Sequence, residues 1–196
     1  MIAFLDGTLC DKAPTRAVVD AGGVGYEVFI PLGTYDRLPR LGERCRVLIH
    51  DHVREDAHLL FGFGTEEEKD LFERLIGVTG LGPKLAISVL SGLPPRELKR
   101  ALVEGDAKRL GTISGIGKKT AERMVLELRD KFTAGEKFEA VSGEASGGDT
   151  RMSDAALALV SLGYKEDQAR KMLRAAEKDI TEQTTVEEIV RHALAG

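Results

Sequence analysis

The chain has 196 residues, 42% hydrophobic and 31% charged, with a formal charge of −4. That length suits one to three small domains, each with a modest core. Cys10 and Cys45 are the only cysteines and lack CxxC or metal-like spacing, which argues against a disulfide framework and a thiolate metal site.

The start, MIAFLDG, has no basic n-region, and no later apolar run approaches a membrane span. A soluble cytoplasmic protein with no membrane partner is expected. The acidic total argues against a nucleic-acid partner only until it is divided along the chain. Residues 1–63 carry seven Lys/Arg against nine Asp/Glu, and residues 133–196 carry eight against twelve. Between Lys84 and Lys131 the balance reverses, to eleven against six. The basic excess is local.

Residues 1–63 read as short strands punctuated by glycine and proline: Ile2–Leu5, Arg16–Asp20, Gly25–Ile30, Arg44–His50 and Leu59–Phe63, with a helical piece near Thr34–Leu38. Five such strands suit an OB-fold barrel. Arg54-Glu55-Asp56-Ala57 reads as a hairpin tip carrying two adjacent acids, and by itself that is an ordinary solvated turn.

Thr65-Glu66-Glu67-Glu68 opens a helix, with Thr65 as N-cap, Glu68 completing a capping box and three acids at the positive end of the dipole. Leu71, Phe72, Leu75 and Ile76 follow at core spacing. Next comes Gly80-Leu81-Gly82-Pro83-Lys84, and thirty-five residues later Gly115-Ile116-Gly117-Lys118-Lys119. At that offset LIGVTGLGPKLAISVL and LGTISGIGKKTAERMV align Leu75 with Leu110, Lys84 with Lys119 and Ala86 with Ala121. The chain contains an internal repeat.

Gly-apolar-Gly between two helical patterns makes a tight turn in which one or both glycines can take positive φ. Leu81 or Ile116 can tuck beneath it and lock the flanking helices. The following helix then points free N–H groups outward, a site for phosphate, and Lys84 or Lys119 adds a full charge to the same anion. Nothing in this device touches a base edge, so it should bind backbone without reading sequence. A ligand-free αα-hairpin accounts for one such copy as well; two copies with lysine in register favour the phosphate reading over it. A Walker A loop does not fit, because Lys-Ser/Thr does not follow the glycine directly. No nucleotide site is visible and no cofactor is expected.

Between the hairpins, Leu85–Leu90 is helical with Gly92 as C-cap, Pro94-Pro95 opens a helix through Leu98 and Leu102, and Asp106 caps the next. Thr120–Phe132 is a regular basic helix. Thr133–Met152 has the Gly/Ser/Glu-rich character of a flexible linker. Three helices follow, about Asp154–Leu162, Glu166–Lys178 and Val186–Leu194, with Gly163 ending the first and Thr185-x-x-Glu188 boxing the third. The apolar run Ala155–Val160 is either core or a second, partner-facing surface. The expected class is thus α+β and multidomain: a barrel (1–63), a tandem helix-hairpin-helix domain (64–132), a linker (133–152) and a three-helix bundle (153–196).

In HVREDAHLLFGF (52–63), GVTGLGPKLA (77–86) and LGTISGIGKKTAERMVLELRDK (110–131), and in this order of parts, the chain resembles the RuvA family, the Holliday-junction-binding subunits of the bacterial branch-migration complex. The resemblance covers essentially the full length. It implies a homotetramer, or an octamer, whose concave face holds a four-way DNA junction open for recombination and repair. The DNA contacts it implies are Gly80, Leu81, Gly82 and Lys84 in the first hairpin, and Gly115, Ile116, Gly117, Lys118 and Lys119 in the second, with Arg123 beside them. It implies an acidic pin at Glu55 and Asp56, which would hold the strands apart at the crossover. The bundle would engage the ATPase motor RuvB, and the junction resolvase RuvC is a further implied partner; the docking face is expected at the first helix of the bundle, with Leu159, Leu162 and Tyr164 as contacts. Two rivals stand beside this reading: a DNA glycosylase or nuclease, whose catalytic Asp or metal cluster the sequence does not offer, and a duplex-binding adaptor with no junction preference.

Overall fold

The computed structural model describes residues 1–55, 57–133, 135–137, 140, 151–176 and 184–195, and every structural statement below concerns those residues. They divide into two units, Met1–Leu128 and Arg129–Gly196.

In the first unit, β1 (Phe4–Ala13), β2 (Arg16–Ala21), β3 (Val24–Phe29), β4 (Arg44–Val53) and β5 (His58–Phe63) close a barrel in the order β1-β2-β3-β5-β4. The seam is the parallel pair β3 and β5, with Val28 opposite Leu60. Alternating Leu5, Leu9, Ala17, Val19, Val28, Val47 and Ile49 fill the interior. β1 is longer than the expected Ile2–Leu5. Its inward Leu5 and Leu9 are separated by Asp6, Gly7 and Thr8, and its register against β2 slips between Leu9 and Asp11, so alternation breaks where the strand continues. Asp51 of β4 accepts a hydrogen bond from the Ile2 N–H at 2.8 Å, and that donor, more than His58 and the amino terminus nearby, holds its carboxyl below the usual range. The chain start is thereby tied to β4.

The short helix α1 (Leu32–Arg37) bridges β3 and β4. After β5 comes α2 (Glu66–Ile76), whose N-cap Thr65 accepts from the Glu68 N–H at 3.2 Å. The reciprocal half of the expected capping box does not form. Glu68 is buried, and its carboxylate accepts from the Thr34 hydroxyl at 2.8 Å and the Gly64 N–H at 3.1 Å instead. One carboxylate thus joins α2 to α1 and the end of the barrel.

A second join is apolar. Leu59–Phe63 is an unbroken apolar run because β5 is covered on both faces. Leu60 belongs to the barrel core, while Phe61 and Phe63 stack on Phe72 of α2 with ring centroids 5.1 and 4.9 Å apart. Then follow α3 (Pro83–Gly92), α4 (Pro95–Glu104), α5 (Ala107–Leu110) and α6 (Lys118–Leu128), with Pro95 in the first turn of α4 and Asp106 capping α5 through the Arg109 N–H at 2.9 Å. Gly92 is not a left-handed C-cap. It lies in the last turn of α3, where a Cβ would come within 3.0 Å of Ile113, so it serves close packing between the hairpins. The expected Thr120–Phe132 helix begins two residues earlier, and Arg129–Lys131 tightens into a 3₁₀ turn.

In the second unit, α7 (Arg151–Ser161), α8 (Glu166–Ala176) and α9 (Val186–Ala195) pack around Ala155, Leu159, Ala169, Leu173 and Ile189. Thr185 and Glu188 form the full capping box: the Thr185 N–H reaches the carboxylate at 2.8 Å and the Glu188 N–H reaches the hydroxyl at 3.3 Å. Gly163 (φ 97°) ends α7 as expected. At the start of the stretch read as a linker, Thr133 and Glu136 make the same reciprocal box, and residues 135–137 are helical. Residues 141–150 lie outside the described residues.

Replacing Glu68 by Ala would leave the buried Thr34 hydroxyl without an acceptor, at a cost of about 2 kcal/mol. Urea unfolding of Glu68→Ala should show that loss, with Glu68→Gln closer to the parent protein; equal stability of all three would remove the join assigned to this carboxylate.

Candidate nucleic-acid interface

The hairpins between α2 and α3 and between α5 and α6 repeat in three dimensions what they repeat in sequence. The Val78 N–H bonds the Leu75 carbonyl at 2.9 Å, and the Ile113 N–H bonds Leu110 at 3.2 Å. Leu81 bonds Val78 and Ile116 bonds Ile113, both at 3.0 Å. The Ala86 N–H closes on Gly82 at 3.0 Å and Ala121 closes on Gly117 at 2.9 Å. Ala86 and Ala121 are both fully buried, small enough for the paired helices to approach closely.

Within each turn the two glycines do different work. Gly80 and Gly115 take left-handed φ, +84° and +85°, which a side chain rarely adopts. Gly82 and Gly117 have ordinary φ and face open space, with no atom within 4 Å of where a Cβ would be. Both stand at the starts of helices, Gly82 as N-cap of α3 and Gly117 just before α6. The bare glycine lets an anion come down onto the helix start, and the left-handed glycine bends the chain so that the start is exposed.

There the backbone N–H groups of Lys84 and Leu85, and of Lys118, Lys119 and Thr120, have no protein acceptor among the described residues. Lys84 and Lys119 are exposed and without an ion-pair partner among those residues. Lys118 has only Glu122, at 3.9 Å on an exposed helix face. Each site therefore combines unpaired donors, the positive end of a helix and a free ammonium.

Three of the residues expected to contact DNA also have structural parts in the hairpins. Leu81 and Ile116 are 2% and 4% exposed. They anchor the turns from beneath and offer no side chain to a ligand. Arg123, on α6, donates from Nη1 to the Thr79 carbonyl at 2.9 Å, while Glu127 accepts from the Thr79 N–H at 3.2 Å. The helix of the second motif thus grips the turn of the first. Sequence reading missed Glu127, since an acid on a basic helix looks like a solvated charge.

Glu55 is exposed in the turn between β4 and β5, which the Arg54 N–H closes onto the Ala57 carbonyl at 2.8 Å. Asp56 lies outside the described residues. The base of this turn borders the first hairpin: His52, Arg54 and Ala57 share a groove of about 310 Å³ with Gly82, Pro83 and Lys84. In the second unit Leu159 is fully buried in the bundle core and cannot present a docking surface, whereas Leu162 and Tyr164 are exposed beyond the end of α7. An apolar run on a helix does not by itself tell core from surface.

Among the described residues no helix is long and apolar enough to cross a membrane, and no group of His, Cys, Asp and Glu is placed to hold a metal ion.

Comparison with known proteins matches three family models in succession: the RuvA N terminal domain at residues 1–62, a SAM-like helix-hairpin-helix tandem at 72–130, and the RuvA C-terminal domain at 150–196. Curated relatives are similar over nearly their whole length. The Holliday junction branch migration complex subunit RuvA of Syntrophotalea carbinolica is 50% identical, covering 99% of this chain and 98% of that protein. The proteins of the same description from Geobacter sulfurreducens and Chromobacterium violaceum are 48% and 47% identical, each covering 99% of this chain and 98% and 97% of their own.

The division of labour between the glycines predicts two kinds of damage. Gly115→Val places a side chain at left-handed φ with Leu85 within 2.9 Å, so it should destabilise the fold by about 1–3 kcal/mol. Gly117→Val meets nothing in the folded chain and should melt like the parent, yet cover the helix start and bind DNA at least tenfold more weakly. Melting curves and a DNA titration on both variants check this; normal binding by a folded Gly117→Val would make the hairpin purely structural.

Proposed function

Because the chain belongs to the RuvA family, we propose that it is the junction-binding subunit of a Holliday junction branch migration complex, gripping DNA arms by their phosphates through two glycine hairpins. The observation that carries this reading is the pair of exposed helix starts at Gly82 and Gly117, each bearing unpaired N–H groups and a free lysine. Their donors suit phosphate oxygens and reach no base edge, so recognition is of backbone and shape, independent of sequence.

Four-way preference needs a second element, and Glu55 with Asp56 supplies it. Carboxylates at the end of a hairpin repel phosphates, and the approach of strands at a crossover crowds phosphates together. An acid tip beside a phosphate-binding groove favours an open centre with the arms held apart. In a homotetramer four such tips would surround one crossover. Half-exposed Phe4 and exposed Val24, Leu41 and Val53 on the barrel supply apolar area for contact between copies.

The remaining unit suits a protein partner. Residues 133–196 are acidic, the wrong sign for DNA. Leu162 and Tyr164 form its docking face in this reading, for an ATPase motor of the RuvB kind that drives branch migration. The family match favours this reading over a glycosylase or nuclease.

Replacing Glu55 and Asp56 with Gln and Asn should leave duplex affinity level or slightly higher and reduce the preference for four-way junctions several-fold, read by competition between the two DNAs. Equal weakening on both would place the tip in the fold rather than in selectivity. A chain ending at Phe132 should keep junction binding and lose stimulation of the purified motor; full stimulation would refute the docking role of the bundle.

A further inference from the structure

The two hairpins are equal in backbone but unequal in charge. At the thirty-five-residue offset Lys119 corresponds to Lys84, but Lys118 corresponds to Pro83. The first helix start therefore has one ammonium fewer, and proline brings no N–H of its own. By itself the first hairpin is the weaker anion site by two donors. The structure places a cation from another element on that side of it. Arg54, at the end of the β4–β5 turn, lines the 310 Å³ groove together with Gly82, Pro83 and Lys84. It also lines the adjoining hollow of about 540 Å³ that runs along the turn from Ile76 to Pro83.

Arg54 does not hang free in that groove. Its Nε donates to Nε2 of His52 at 2.9 Å, and Nη1 and Nη2 have no partner among the described residues. His52 is half-buried, its ring lying edge-on to Phe61 at 6.1 Å. A guanidinium held by one edge, with two donor groups left over, is ready to fork onto a phosphate. His52 can accept only while neutral, and burial, with Arg54 and His50 adding to it, keeps its proton affinity below the ordinary value.

We infer that Arg54 is the second cation of the first hairpin's phosphate site, supplied across the groove by the barrel, and that His52 is the positioning residue that aims it. This rests on the phosphate-clamp reading above and deepens it: the same hairpin that carries the acid tip also pulls a backbone phosphate toward Lys84. Attraction and repulsion then sit within three residues of each other, so that a strand is guided past the acids and onto the helix start.

The test is the salt dependence of four-way-junction affinity for the full chain, between 50 and 200 mM salt, with duplex alongside. Arg54→Ala should lower the slope of log affinity against log salt by about one unit for each phosphate that Arg54 neutralises, so the fourfold salt increase costs the variant about 3.5-fold less than the parent. Combined with Lys84→Ala the effects should be less than additive, because both cations serve one phosphate. His52→Val should reproduce part of the Arg54→Ala effect, and His52→Gln, which can still accept from Nε, should restore the parent slope. Lys119→Ala in the second hairpin separates the two levels of the reading. An unchanged slope for Arg54→Ala while Lys119→Ala lowers it overturns the role of Arg54 and leaves the clamp standing. Unchanged slopes for both overturn the inference together with the clamp. A shifted junction preference at unchanged slope makes Arg54 a part of the acid tip and also overturns it.

Discussion

A helix start left without partners is the constraint on which this structure turns. Backbone N–H groups are normally satisfied, and leaving several open at two places is tolerable only where water or an anion can reach them. Gly82 and Gly117 keep those places bare, and everything nearby holds them so. Gly80 and Gly115 bend the chain into position, Leu81 and Ile116 pin the bend from below, and Ala86 and Ala121 let the helices close. The binding chemistry we propose is therefore mostly backbone, with lysines adding charge to a geometry already set.

Such sites are useful only at fixed positions relative to one another and to the acid tip. Four contacts set those positions in the first unit. Arg123 and Glu127 hold both backbone groups of Thr79, fixing one hairpin to the helix of the other. The Phe61, Phe63 and Phe72 layer and the buried Glu68 carboxylate fix α2 to the barrel. The β4–β5 turn is consequently held beside the first hairpin, with His52, Arg54 and Ala57 sharing a groove with Gly82, Pro83 and Lys84.

The repeat itself was legible in the sequence, because glycine, lysine and alanine keep a common offset and each answers a separate physical demand. So was the barrel, from five short apolar runs, and so was the capping box at Thr185 and Glu188. What could not be read was the partner of each polar side chain. Glu68 satisfies the spacing of a capping box yet turns inward to Thr34, a residue distant in sequence. Arg123 has the charge of a phosphate contact, and its Nη1 donates to the Thr79 carbonyl, a tie that the sequence did not announce. Leu159 lies in an apolar run that fits either a core or a surface, and packing put it in the core. β1 extends past its apolar start because the ladder to β2 and β4, rather than local propensity, keeps it extended. In each case a tertiary neighbour decided what local pattern left open.

The most direct measurement is hydrogen exchange of the full chain with and without a saturating four-way junction. The account places phosphate on the amides that begin α3 and α6, so peptides covering 79–85 and 114–120 should both slow on binding, on junctions of unrelated sequence alike. Protection confined to one hairpin, or found elsewhere with both helix starts exchanging as in the free protein, would contradict it.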